Sequence, residues 1–377
     1  MHRRQFITAA LAAAAPWPAF AAGVRTQWKV RGSEGFDALC FLGPLSGKPF
    51  YARYYGTELA QFQFPPEAKA ALDRLQAAAD ARGDLLAPGL CTLFSGGPDA
   101  SLDDLIASLD AAETRLLPPY QSGEYWDEDS WKAFLAGRAD LRTVFLGLKA
   151  ADFPAFRRRF IDARLAPRIE TLTAKLAGLD VIAEQERLLG HPLQPGIEIV
   201  LLWFSQPHGI RIQGQRFLSH VLYPDDIVIR IAAHEILHPP FPMDGPVAKA
   251  ALGVLGRDDL FKRIVAEHDP SFGYNSLEGI LNEDTVQALD QIVSERLGFG
   301  REPAARWKAA DGGMHVLAAG LYGTLKAEGY DRTGGNLARW MADAARTGKL
   351  APEHLHAAAA SVLGVPVGDL WKAPVKA

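Results

Sequence analysis

Two histidines four residues apart, with a glutamate after the first, are the residues in this chain best suited to chemistry: His234-Glu235-Ile236-Leu237-His238. From Asp226 to His238 the sequence has no Gly or Pro and spaces its apolar residues at helical intervals. That pattern predicts one helix over 226–238. Residues four apart lie on one helix face, a turn above each other. His234 and His238 could then offer two imidazole nitrogens to one zinc ion. Glu235 would sit about 100° round the helix from His234, beside the metal, where a general base for a metal-bound water belongs.

A catalytic zinc needs a third protein ligand and one open position. Two candidates compete. Glu283 lies in a run of helical periodicity, with Ser276, Gly279, Gln287, Asp290 and Ser294 within roughly 40° of it round the helix. This small, polar stripe would let a second helix approach closely, while Val286, Leu289 and Val293 form an apolar face beside it. Glu278 projects from the opposite side. The other candidate is Asp244, placed where an H-E-x-x-H-x-x-G-x-x-H/D motif puts its last ligand. The turn glycine of that motif would be position 241, which is Phe241.

H-E-x-x-H followed by Asn282-Glu283 on a later helix resembles the gluzincin metallopeptidases, the thermolysin-like and aminopeptidase-like enzymes. The resemblance rests on two short motifs. It implies His234, His238 and Glu283 as zinc ligands and Glu235 as the base. It also places Tyr274, nine residues before Glu283, where the thermolysin-like branch has a transition-state tyrosine. Three departures stand out. Gln287 occupies the place of an Asp that orients a zinc-bound His, with Asp290 and Asp284 as nearby substitutes. The gap between the motifs is longer, and Pro239 follows the first motif at once. His208, His220, His268 and His315 are further conceivable donors to a developing oxyanion, each more simply read as a surface or structural histidine.

The elements that must position these residues are mostly helical. Helices are expected over about 66–82, from Ser101, through 127–189 with breaks at Asp152-Phe153-Pro154 and Ala166-Pro167, and over 246–255, 258–268, 275–297, 313–328, 335–347 and 352–364. Trp28–Arg31, Ile197–Phe204, 209–213 and 216–221 read as strands. The expected fold class is α+β, predominantly helical, with a zincin-like core and a small β-sheet ahead of the motif helix. The division expected is a signal peptide over 1–21, a mainly helical region over 22–190 and a zincin-like metallopeptidase domain over 191–377. Arg157, Arg158 and Arg159 read as a solvated basic face.

The 377 residues are 48% hydrophobic and 22% charged, with a net charge of -4. That is globular composition, and without a basic patch it argues against a nucleic-acid partner. Arg3-Arg4-Gln5-Phe6-Ile7, a short apolar stretch and small residues at Ala19 and Ala21 fit a cleaved export signal and resemble a twin-arginine signal. This implies the twin-arginine export machinery as a partner, a periplasmic or secreted protein, and no membrane-spanning segment after cleavage. Cys40 and Cys91 could form one disulfide in that compartment or stay as buried thiols. Twin-arginine export also raises a redox enzyme, but no G-x-G-x-x-G, C-x-x-C or haem attachment motif supports one. The expected function is zinc-dependent hydrolysis of a peptide or protein substrate in the bacterial envelope. The alternative is a zinc-containing binding protein with a peptidase fold.

Overall fold

The structure is a computed structural model and describes residues 24–272 and 274–373. The expected signal segment lies outside the described residues. One four-stranded sheet and a surrounding set of helices make up the fold.

The sheet has the order β1-β2-β4-β3, from β1 (Gln27–Gly32), β2 (Gly196–Leu202), β3 (Ile210–Ile212) and β4 (Arg216–His220). β1 and β4 run parallel to β2 on its two sides, and β3 is the antiparallel edge. The near-continuous apolar sequence of β2 follows from helices covering both faces. Ile199 and Leu201 pack with Ile161, Leu172 and Leu176 and with Val228 and Ile229 of the motif helix. Val200 and Leu202 point the other way, into an aromatic-rich core containing Phe41, Phe94, Phe145 and Phe204. Each such fully buried side chain contributes roughly 1.5–3 kcal/mol by leaving water.

The motif helix, Asp225–Glu235, lies against the sheet through Val228, Ile229, Ala232 and Ala233. Ala232 and Ala233 have no exposed surface. Their small size sets how closely the helix seats, and a larger residue there would overpack the contact at a cost of about 1–3 kcal/mol. The other half of the site comes from the long helix Leu277–Arg296, which is buried on nearly all sides. Val286, Leu289 and Val293 join a core built with Leu317, Leu321, Leu325 and Leu355.

Three local expectations are corrected. The motif helix ends at Glu235 rather than 238. Pro239 has no N–H for the carbonyl of Glu235, its ring crowds that carbonyl, and it disfavours helical backbone at His238. The helix Phe153–Leu176 runs through Pro167 without a break. Pro167 and Ala163 face solvent there, so water can serve the freed carbonyl while Ile161, Leu172 and Leu176 stay anchored on the sheet. Arg157 is not solvated: it is buried and donates to Asp37 Oδ2 at 2.6 Å, while Asp37 Oδ1 accepts from the amides of Trp203 and Phe204 at 2.8 Å. The guanidinium thus balances a carboxylate that ties off the end of β2.

Cys40 and Cys91 are free, buried thiols with Sγ atoms 3.8 Å apart. Among the described residues, no helix is long and apolar enough to cross a membrane.

Candidate metal centre

His234 is one residue from the end of the motif helix, and His238 follows in a tight turn. The turn is held by Leu237 N–H to His234 O at 3.0 Å and His238 N–H to Glu235 O at 3.4 Å. Arg211 on β3 supplies what Pro239 cannot. Its Nη1 donates to the carbonyls of Glu235 at 2.7 Å and His238 at 2.9 Å, and its Nη2 donates to Glu124. A cation at a helix C-terminus also meets the negative end of the helix dipole. From the other side, Gln185 Nε2 donates to Ala233 O at 2.6 Å.

The long helix begins just after Tyr274, which adopts a left-handed backbone with φ 56°. Ser276 caps it by accepting from Gly279 N–H at 3.0 Å. Gly279 lets the Tyr274 backbone pass close by, since a Cβ there would meet Tyr274 Cα at 3.3 Å. Two turns in, Glu283 faces the motif. Its Oε1 is 3.5 Å from His234 Nε2 and its Oε2 is 3.3 Å from His238 Nε2, while the two Nε2 atoms are 3.1 Å apart. Among the described residues, these three form the group of His, Cys, Asp or Glu side chains that could hold a metal ion.

The donor set fits a divalent cation such as zinc on two grounds. Tetrahedral bonds of about 2.0–2.1 Å imply roughly 3.4 Å between ligand atoms, close to the three distances observed. The tautomers are also right. His234 Nδ1 donates to Asp290 Oδ2 at 2.7 Å and His238 Nδ1 to Asn282 Oδ1 at 3.1 Å. Each Nε2 therefore presents a lone pair toward the other and toward a carboxylate, which only a cation or a proton can satisfy. The result is a buried His/His/Glu ligand triad, spaced as in a thermolysin-like zincin site, within a largely helical core.

Electrostatics report the same need for positive charge. Burial pulls the His234 imidazolium down, but hydrogen bonds and charge from Asp290 and Glu283 outweigh it and hold its pKa up at about 10. Burial pushes the Glu283 carboxyl up, yet the imidazoles of His234 and His238, whose Nε2 atoms face it, hold it well below the usual range when they carry a proton. Asp290 is also buried. Arg306 clamps it through Nη1 at 2.5 Å and Nη2 at 2.8 Å, and its carboxyl stays low despite burial because of Arg306 and His234.

Gln287 does not take the place of the orienting Asp. Its Nε2 donates to Glu283 Oε1 at 2.9 Å, and its Oε1 accepts from Trp307 Nε1 at 2.9 Å. Asp284 turns away from the centre to His315 Nδ1 at 2.6 Å and the amide of Ala318 at 3.0 Å. His315 is buried behind Glu283, between Asp284 and Asp311. His208, bonded to Tyr51, and His268, bonded to Ile264 O, belong to other parts of the fold. His220 lies against Trp203 and Tyr223, where burial lowers its pKa to about 4.

Tyr274 packs edge-on to His315, with ring centroids 5.9 Å apart, and lies near enough to Glu283 for that carboxylate's charge to act on it. Burial, then the charges of Glu283 and Asp311, raise its pKa, so the hydroxyl keeps its proton at neutral pH. Glu235 is half-buried at the end of the motif helix and lies close enough for its charge to act on Tyr274 and on Tyr125. Asp244 is exposed and outside the ligand group. A cavity of about 670 Å³ between Arg74, Leu86, Phe134 and Ile210 meets the centre only through Arg211.

Arg211, Gln185, Arg306 and Trp307 are the supporting residues that spacing could not reveal, because each comes from an element remote in sequence. No protein family, curated protein or solved structure matches the chain, so the reading of this centre stands on its own geometry.

Proposed function

We propose that the chain is a zinc-dependent metallopeptidase of the gluzincin type, with Glu235 as general base, and that it hydrolyses peptide bonds in the bacterial cell envelope. One observation carries the reading: two imidazole Nε2 lone pairs and the Glu283 carboxylate converge, with a second, unligated carboxylate, Glu235, next in chain to the first histidine. When bound, zinc would supply a Lewis acid for the scissile carbonyl and acidify a water. Glu235 would accept that water's proton and pass it to the leaving amine. Tyr274, protonated and next to Glu283, would donate to the developing oxyanion. The envelope location and the twin-arginine export machinery as a partner rest on the Arg3-Arg4-Gln5-Phe6-Ile7 run.

A second reading is a zinc-containing binding protein without appreciable turnover. The early end of the motif helix favours it, because Glu235 becomes the last helical residue rather than one fixed in mid-helix. Hydrolysis of a mixed peptide library by the zinc-loaded protein separates the two. The peptidase reading expects cleavage that stops with chelator and is lost in Glu235→Gln at full zinc content. Undiminished cleavage by Glu235→Gln would overturn the assignment of the base.

A further inference from the structure

Behind His234, on the side away from Nε2, a cavity of about 500 Å³ is lined by Arg230, Arg301, Arg306 and Gln287, with Ala305, Ala309 and Ala310 as its apolar wall. Three guanidinium groups facing one space repel each other unless anions balance them. Two of them are balanced within the protein. Arg306 is clamped on Asp290, and Arg301 Nη2 reaches Asp226 Oδ2 at 3.3 Å. Arg230 is different: it is half-buried and its guanidinium makes no hydrogen bond or ion pair with any described residue.

Its surroundings offer its charge no free partner. The charges that act on Arg230 are Arg301 and Arg306, which oppose it, and Asp290 and Asp226, which favour it but are already engaged by those two arginines. Burial is the largest influence and also works against its charge. A partly desolvated, unpaired cation destabilises a fold. Arginine is suited to planar, bidentate recognition of carboxylate and phosphate.

We propose that this cavity is an oxyanion site, taking a carboxylate or phosphate group on Arg230 with help from Arg301 and Arg306, and that it is coupled to the metal centre. Two hydrogen-bonded routes join the cavity to the metal centre. Arg306 holds Asp290, which accepts from His234 Nδ1 at 2.7 Å, and Gln287 on the cavity wall donates to Glu283 at 2.9 Å. An anion that shares the charge of Arg306 leaves Asp290 a stronger acceptor for His234 and so makes that imidazole a better metal donor. Linkage requires the converse: the metal-loaded protein binds the anion more tightly by the same factor. The anion site itself stands without the metal reading, whereas the coupling rests on it.

The test uses the full chain, metal-free and zinc-loaded, at constant ionic strength. The probes are inorganic phosphate, an N-acetyl amino acid and its uncharged amide. Isothermal titration should show saturable binding of at least one anion to the metal-free protein, weakened about tenfold or more in Arg230→Met. Arg230→Lys, which keeps the charge, should recover part of it. Zinc-loading should tighten binding about fivefold or more. Phosphate held directly by the metal would survive in Arg230→Met and is thereby distinguished. Binding of phosphate alone points to an inorganic or phosphoryl ligand, and binding of the N-acetyl amino acid but not its amide points to an organic acid or a peptide C-terminus. Thermal unfolding gives an independent readout: without anion, Arg230→Met should melt higher than the wild type, and only the wild type should be stabilised by the anion. Equal anion binding by metal-free wild type and Arg230→Met, or none by either, overturns the site. Equal anion affinity with and without zinc overturns the coupling alone. Failure of the chain to take up zinc refutes the metal reading and leaves the anion titration valid.

Discussion

Asp290 accepts the Nδ1 proton of His234 at 2.7 Å, so the carboxylate that orients the first histidine stands seven residues after Glu283. Four residues after Glu283 is Gln287, which binds Glu283 itself at 2.9 Å. Helix geometry permits the exchange. Seven residues bring a side chain to within about 20° of its starting direction, against about 40° for four. Asp290 therefore shares the Glu283 face more closely, two turns further along. Arg306 anchors it from behind with two hydrogen bonds.

Replacing Asp290 by Asn keeps the shape and removes the charge that fixes the His234 tautomer. Zinc affinity should fall about 10- to 100-fold, read by competition with a chromophoric chelator, with the fold retained. Asp290→Ala would also strand the buried Arg306 and confuse the two effects.

Glu283 and Asp244 can be separated directly. Glu283→Ala should abolish tight zinc binding, because a two-histidine site lacks the third donor. Asp244→Asn should leave zinc affinity unchanged, since Asp244 is exposed and outside the ligand group. Loss of zinc in Asp244→Asn with retention in Glu283→Ala would reverse the assignment.

Arg211 replaces the donor that Pro239 removes. Arg211→Met should lower stability to urea by roughly 1–3 kcal/mol, because the His238 carbonyl loses its partner and the Glu235 carbonyl keeps only the long bond from the His238 N–H. Zinc affinity should fall with it, since His238 lies in the turn Arg211 holds. Unchanged stability and affinity would show that solvent serves these carbonyls equally well.

Much of this centre was legible in the sequence, and the limits have physical causes. The four-residue spacing of His234 and His238 and the polar stripe around Glu283 are local periodicities, so the ligand triad could be read from them. The strand β2 declared itself by its β-branched, nearly continuous apolar run, and β4 by its place after the turn at Gly214. What escaped depends on tertiary partners. Arg157 resembles any surface arginine until Asp37 is placed beside it. Pro167 reads as a break until it and Ala163 are placed on the exposed side of the helix. Arg211, Arg306 and Gln185 reach the centre from three different elements, and nothing in their local sequence marks them. Tyr274 could be placed only through the resemblance, because it lies outside the long helix, in a left-handed turn that no periodicity marks.

Protonation gives a prediction with a definite sign. His234 has a folded-state pKa of about 10, above its ordinary value of about 6.5. Its protonation therefore stabilises the metal-free fold fully below pH 6.5, and this contribution is lost as pH rises toward 10. A bound metal takes the proton's place, so zinc affinity should increase across the same window and binding should release protons at pH 7–8. Urea unfolding of metal-free and zinc-loaded protein between pH 6.5 and pH 9.5 checks this. Metal-free protein that gains stability over that range would contradict it.

The most direct measurement is the zinc content of the purified chain by mass spectrometry of the element, after dialysis against weak chelator, for wild type, His238→Ala and Glu283→Ala. One zinc per chain in the wild type and essentially none in either variant is the expected result. A wild type without bound metal, or variants that keep a full equivalent, would contradict a centre built from His234, His238 and Glu283.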